Sequence, residues 1–477
     1  MEDHIYSLPT KNINIYLLER DKSLICYMHP SLKQGESITD EYYKEKYEYL
    51  KKYLFRQDNF INPNVSRMSP EAIKNKVANL NQLVFEVTDT CNLNCKYCGY
   101  GDIYESYDKR EKKKLTFQQV KPLLDYLLRL WKNEELESYN DITYISFYGG
   151  EPLLNMSFIE DVVYYIENLN IKGRHFVYSM TTNAILLDKY ADFLEKYKIR
   201  LLISLDGNID NNGYRVDFSG QNSFTRITQS VDILSSKYPD YFEKSVNFNA
   251  VLHNKNSVLD IYNFFHTKYN KIPSIGELND SGIREEKQEE FNSLYKNSYE
   301  SLHQEENYKE LEQNLFMNAS SYKSSTLFLH QYWGSVFKTY NDLLYEKNKK
   351  KFLPTGTCIP FSKKMFVTVN GKILACERID QQFALGKIEN STVVIDYENI
   401  ANTYNNYYDK LQSQCSKCYR GTSCLQCVYY IKNLNENPIC HGYVNEEMFT
   451  RYFSNNMTFF EEHPKDYFRI MKEVTIE

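Results

Sequence analysis

Short apolar runs alternate with helical periods through the middle of the chain. The runs at 82–88 (QLVFEVT), 142–147 (ITYISF), 175–181 (HFVYSMT), 199–205 (IRLLISL) and 246–252 (VNFNAVL) read as buried parallel strands. Helical stretches fall between them at about 116–131, 156–169, 187–198, 223–237 and 256–269. Strand and helix in alternation predict a parallel sheet with helices outside it, and five or six such units predict a partial barrel. Upstream, residues 13–28 read as two short strands around a charged turn at Glu19–Lys22. Helical stretches follow at about 40–54 and 69–80, the second opened by Ser69-Pro70 in the N-cap and first helical positions. Residues 276–352 are charged, strand-poor and helical in period. After Pro354 the chain turns cysteine-rich and loop-rich to about 442, and 443–477 is again helical in pattern.

A chain of 477 residues predicts two to four domains. Its 42% hydrophobic and 25% charged residues are ordinary for a soluble globular protein, and a net charge of −6 gives no basic footprint for nucleic acid. The first twenty residues lack the apolar core of a secretory signal, and no apolar run is long enough to cross a bilayer. A cytoplasmic protein with neither nucleic-acid nor membrane partner is expected. The 43 tyrosines fit the codon bias of an AT-rich genome better than any functional role.

The eleven cysteines change this picture, because they are clustered. In a cytosolic chain they do not read as a disulfide framework, and clustering points to metal or cluster ligation. Cys26 stands alone and reads as a small apolar core filler. Cys91-Asn-Leu-Asn-Cys95-Lys-Tyr97-Cys98 follows the first barrel strand, the end at which parallel barrels carry their chemistry. Three thiolates are one too few to close a [4Fe–4S] cube, so one iron is left open to a small molecule. A three-cysteine zinc site would recruit a nearby His, and this loop has none.

This C-x3-C-x2-C loop, with Tyr97 before its last cysteine, resembles that of the radical S-adenosylmethionine (SAM) superfamily. The resemblance implies that SAM chelates the open iron and is cleaved by one electron to a 5′-deoxyadenosyl radical that abstracts hydrogen from a substrate. Gly149-Gly150-Glu151-Pro152 matches the family's GGEP motif at the end of the second strand, with Glu151 a candidate to face the methionine ammonium. Thr182-Asn183 ends the third strand and Ser204-Leu205-Asp206-Gly207 the fourth, both matching SAM-pocket segments. Ser204 is a candidate for the ribose or the methionine carboxylate. Arg215 lies where related enzymes place an arginine on that carboxylate.

The second group, Cys358, Cys376, Cys415-x2-Cys418-x5-Cys424-x2-Cys427 and Cys440, resembles the SPASM extension that holds auxiliary [4Fe–4S] clusters. The resemblance implies one cluster on Cys415, Cys418, Cys424 and Cys440 and another on Cys358, Cys376 and Cys427. The family pattern has three residues where this chain has two, between Cys424 and Cys427. Some relatives supply a cysteine at the position of Lys364, so the inner cluster here is expected to keep an open iron or a non-cysteine ligand. Taken alone, the paired C-x2-C knuckles would also suit a zinc ribbon.

The expected fold is α/β. It is a partial (β/α)6 TIM-like barrel with a small winged-helix-like N-terminal α+β domain, a helical insertion and a SPASM domain. The expected boundaries are 1–80, 81–275, 276–355, 356–445 and a tail at 446–477. SPASM relatives mostly modify peptides or proteins. The first reading is therefore a maturase that crosslinks a ribosomally made precursor peptide, with residues 1–80 binding its leader by strand addition and a ferredoxin- or flavodoxin-type electron donor. The second is a protein maturase of the sulfatase formylglycine-forming or quinohemoprotein kind. A non-catalytic scaffold is disfavoured by the intact cysteine loop. Glu377, beside Cys376, is a candidate general base, with a surface acid as the plainer reading.

Overall fold

The computed structural model describes residues 5–19, 24–28, 39–50, 52, 67–132, 142–169, 171, 173–332, 359–421 and 424–474. The chain divides into two compact units. One comprises Met1–Arg67, Ala319–Thr357 and Asn405–Glu477, the other Met68–Asn318 and Cys358–Tyr404.

In the first unit, strands β1 (Ile5–Pro9), β2 (Ile15–Glu19) and β3 (Leu24–Met28) form an antiparallel sheet in that order. The sequence pattern gave β2 and β3 but missed β1, whose terminal proline is tolerated because the strand lies at an edge. The expected turn between β2 and β3 lies mostly outside the described residues. Leu8, Ile15, Leu17, Leu18 and Ile25 are buried. The helix Glu446–Glu462 packs beside β1, and its Glu461 accepts from Asn12 Nδ2, Asn14 Nδ2 and Tyr16 OH at 2.9, 3.0 and 2.9 Å.

The second unit holds the barrel sheet. Strands β4 (Gln82–Thr88), β5 (Ile142–Gly149), β6 (His175–Thr182), β7 (Arg200–Ser204), β8 (Val246–Val251) and β9 (Ser274–Gly276) are parallel and neighbour one another in chain order. Each expected strand is present, and helices Phe117–Trp131, Met156–Glu167, Leu187–Lys196, Phe224–Lys237 and Val258–Tyr269 lie in the expected gaps. The first of these helices starts at a capping box between Thr116 and Gln119 and buries Val120, Leu123, Leu124, Leu127 and Leu130. Alternate strand residues such as Leu201, Ile203, Phe248 and Ala250 are buried in the core, and those between them are less so. One further helix, Pro239–Ser245, precedes β8.

Between Lys364 and Cys415 the stretch after Pro354 is not loop-rich as its composition predicted, whereas the described residues from Ser416 to about 442 are. Strand β10 (Lys364–Val367) joins the free edge of β4 in parallel, and β11 (Lys372–Leu374), β12 (Gly386–Glu389) and β13 (Thr392–Ile395) extend the sheet antiparallel to ten strands. The signal was local: Asn370-Gly371 between apolar runs is a hairpin turn, with Gly371 at φ +79°. Asn390 and Ser391, both at positive φ, turn the next hairpin. A helix, Tyr397–Cys415, follows, and its buried residues include Tyr404 and Tyr408 rather than a row of leucines. The expected helical character of 276–352 is seen up to Tyr332, and the rest lies outside the described residues. Among the described residues no helix is long and apolar enough to cross a membrane.

Candidate active site at the carboxyl ends of the barrel strands

The cysteine loop leaves the end of β4 and is fixed at several points. Asn94 N donates to Val216 O at 2.7 Å, Lys96 N to Tyr214 O at 3.0 Å and Cys98 N to Cys95 O at 3.1 Å. The Gly149-Gly150-Glu151 turn is stapled to the stem of the same loop: Gly150 N donates to Thr88 O at 2.8 Å and Glu151 N to Thr90 O at 2.9 Å. This close approach demands glycine. A Cβ on Gly150 would stand 2.1 Å from Thr90 O, and one on Gly149, at φ +126°, 2.4 Å from Thr88 O.

Glu151 is fully buried, and its carboxylate accepts from Leu153 N (3.1 Å), Thr182 Oγ1 (2.7 Å) and Asn183 N (2.7 Å). It therefore ties the turn after β5 to the end of β6. Asn183 in turn reaches the cysteine loop, with Nδ2 2.7 Å from Asn92 Oδ1 and 3.7 Å from Cys91 Sγ. Pro152 opens the short helical turn Pro152–Asn155 and is buried.

A second buried network stands behind Cys95. Asp206 is fully buried, accepts from Val251 N at 3.0 Å and from the Tyr97 hydroxyl, and lies 3.6 Å from His253 Nε2. Arg215 Nε sits 3.1 Å from Asp206 Oδ1, an ion pair without the alignment of a hydrogen bond. Its guanidinium lies over the Tyr97 ring, 5.4 Å from the centroid, with Nη1 4.0 Å from Cys95 Sγ. Burial works to raise the Asp206 carboxyl, but Arg215, His253, Tyr97 and Val251 N outweigh it and hold it below its ordinary value. Burial likewise works against the Arg215 charge, and Asp206 overcomes it. Ser204 is half-buried at the end of β7, where its hydroxyl has no partner among the described residues.

The family model of the radical SAM superfamily matches residues 85–265, the span that holds both networks. The chain carries a radical SAM domain. Radical SAM cyclopropyl synthase TigE of Paramaledivibacter caminithermalis is 29% identical over 180 residues, 35% of this chain and 34% of that one. A cysteine-type anaerobic sulfatase-maturating enzyme of Clostridium novyi is 29% identical over 209 residues, 42% of this chain and 53% of that one. The chain thus spans between a third and about half of these curated relatives. The structure of native anSMEcpe with bound AdoMet shares the fold, with a TM-score of 0.51 at 19% identity, covering 83% of this chain and 100% of that one.

Radical SAM domains work with a [4Fe–4S] cluster and SAM, and the residues here fit that pair. Burial pushes the Cys91 thiol up to about 11 and the Cys95 thiol up to about 12, so thiolates at neutral pH call for a metal's charge. Donors already face the sulfurs: Leu93 N and Asn183 Nδ2 face Cys91, and Arg215 faces Cys95. Among the described residues no three His, Cys, Asp or Glu side chains close on a point that a single ion would fill. The cysteines of a cubane stand at separate corners of it.

Of the second cysteine group, Cys376 belongs to the barrel unit, and Cys415, Cys418, Cys424, Cys427 and Cys440 to the other unit. Cys358 lies outside the described residues. Burial raises the Cys424 and Cys440 thiols, and each also feels the charge of Cys418, so the structure brings these three together. Cys415 ends its helix, with its carbonyl accepting from Cys418 N at 3.2 Å. Lys364 makes an ion pair of 2.9 Å with Glu377. Burial works to raise Glu377, but Lys364 holds it below its ordinary value, which makes it a poor proton acceptor.

Sequence reasoning missed Asn92 and His253. His253 had one usable signal, its place two residues past the end of β8. Its Nδ1 accepts from Lys255 N at 3.2 Å, which leaves Nε2–H to face Asp206.

Glu151 yields a test of this arrangement. Burial raises its carboxyl to about 7, against about 4.3 for an unfolded glutamate. The folded state then binds the proton more tightly. Stability is fullest below about pH 4 and falls by ~3 kcal/mol as the pH rises to about 7. Urea unfolding of the apoprotein across this range is expected to show that slope, and Glu151→Gln to lack it.

Proposed function

We propose that the chain is a radical SAM peptide maturase that joins two residues of a ribosomally made precursor through a thioether or carbon–carbon bond. The observation that carries this reading is the complete cysteine loop at the end of β4, braced by Glu151 and Asn183 on one side and by Asp206 and Arg215 on the other. The cluster and SAM supply, when bound, a radical able to take hydrogen from an unactivated carbon. The chain's own residues do the rest. Cys91, Cys95 and Cys98 hold the cluster. Gly149 and Gly150 bring backbone close to the loop, and Ser204 offers a hydroxyl to SAM. Glu151 and Asp206 act through Asn183 and Arg215, which they hold in place.

A peptide substrate suits the barrel wall. Half-buried Ser179 and Thr181 lie on one face of β6, and half-buried Ser204 on β7 stands in register with half-buried Asn249 on β8, neutral polar side chains suited to backbone amides. In the other unit, β3 pairs with β2 on one side, and among the described residues no strand pairs with its other edge, the place where a leader strand would add. The C-terminal cysteines carry auxiliary clusters, fed by a ferredoxin- or flavodoxin-type donor in the cytoplasm.

The sulfatase-type reading keeps its place through the Clostridium novyi relative. To separate the two, the reconstituted enzyme is given SAM, reductant and the cysteine-containing peptide of a neighbouring reading frame. A product lighter by two hydrogens, formed faster with the leader than without, supports the proposal. Turnover confined to a sulfatase-derived cysteine peptide, giving formylglycine, would overturn it.

A further inference from the structure

We propose that the buried Arg215–Asp206 pair sets the reduction potential of the cluster held by Cys91, Cys95 and Cys98, Arg215 making that cluster easier to reduce. The inference rests on the radical SAM reading above and adds a role that is separate from any contact with SAM.

Arg215 is only 7% exposed, so its charge is poorly screened by water or salt. Its Nη1 lies 4.0 Å from Cys95 Sγ, and its face covers the ring of Tyr97, two residues along the same loop. It is held there. Asp206 takes Nε at 3.1 Å, and Asp206 is itself fixed by the Tyr97 hydroxyl, Val251 N and His253. The guanidinium cannot swing away without stranding a fully buried carboxylate.

An electron added to a cluster spreads onto its thiolates, so a nearby buried cation stabilises the reduced form more than the oxidised one. Arg215 is the member of the pair that reaches a cysteine sulfur, and Asp206 partly offsets its charge. Removing the cation must lower the potential. Neutralising the anion while keeping the cation must raise it. A residue that merely packed the loop would give no such opposite signs. Arg215 is thus a positioning residue for electron entry, acting through Cys95.

The test is an EPR-monitored redox titration of the reconstituted full-length protein without SAM, with the spectrum of the Cys91/Cys95/Cys98→Ala variant subtracted to isolate this cluster. Arg215→Gln is expected to lower the ratio of reduced to oxidised cluster at a fixed potential at least tenfold, about 59 mV for one electron. Arg215→Lys should keep most of the parent potential, and Asp206→Asn should shift it upward. An unchanged SAM-free potential in Arg215→Gln, equal shifts in the Lys and Gln variants, or loss of the cluster from both Arg215→Gln and Asp206→Asn would overturn the inference. The last result would assign the pair to holding the loop. A parent protein with no iron at the three cysteines would instead sink the radical SAM reading itself.

Discussion

Anaerobic reconstitution of the Cys91→Ala/Cys95→Ala/Cys98→Ala variant is expected to load about eight irons where the parent loads about twelve, and to abolish SAM cleavage. The parent figure counts one cluster on the loop and two on the C-terminal cysteines. The loop cluster should vanish cleanly, because the only described cysteines among the groups that bear on Cys91 and Cys95 are those of the loop itself. The fold should survive, since the loop is also anchored by backbone bonds from Asn94 and Lys96 that alanines leave intact. Iron and sulfide analysis beside circular dichroism and 5′-deoxyadenosine production reads all three. A parent with only four irons, and zinc at the C-terminal cysteines, would remove the auxiliary clusters while leaving the radical SAM domain in place. An iron content unchanged in the variant would break the assignment of the loop.

Much of the barrel was legible because its signals are local. Each of β4 to β8 is a short apolar run, and the longer helices between them carry their own apolar stripes, the first with a capping box besides. The cysteine loop and the GGEP turn were legible for the same reason, their spacing being set by one short segment. The edge pairing of β10 with β4 joins residues almost three hundred positions apart, and no local pattern encodes it. The roles of Glu151 and Asp206 were hidden differently. A motif shows that a carboxylate is present, not whether it faces the ligand or the protein. Glu151 spends both oxygens on Leu153, Thr182 and Asn183, and Asp206 spends its own on Arg215, Tyr97 and Val251. His253 carries no motif and enters only through the fold.

Asp206→Ala is expected to destabilise the barrel unit by roughly 3–5 kcal/mol, because it leaves the Arg215 guanidinium buried and uncompensated. The Tyr97 hydroxyl and Val251 N lose an acceptor in the same step, each adding about 1–3 kcal/mol if no water replaces it. The charge and hydrogen-bond contributions separate in a double variant. Asp206→Ala/Arg215→Met removes both charges and fills the arginine's volume with an apolar chain, so it should be more stable than Asp206→Ala alone, though still below the parent. Thermal unfolding of the apoprotein, with Arg215→Met as the fourth corner, closes the cycle. A coupling energy near zero would mean that the guanidinium finds water or another partner when Asp206 is gone. A coupling of about 2 kcal/mol or more, expected for two buried partners, would show that Asp206 is present to keep a cation buried beside Cys95, where solvation alone would never leave one.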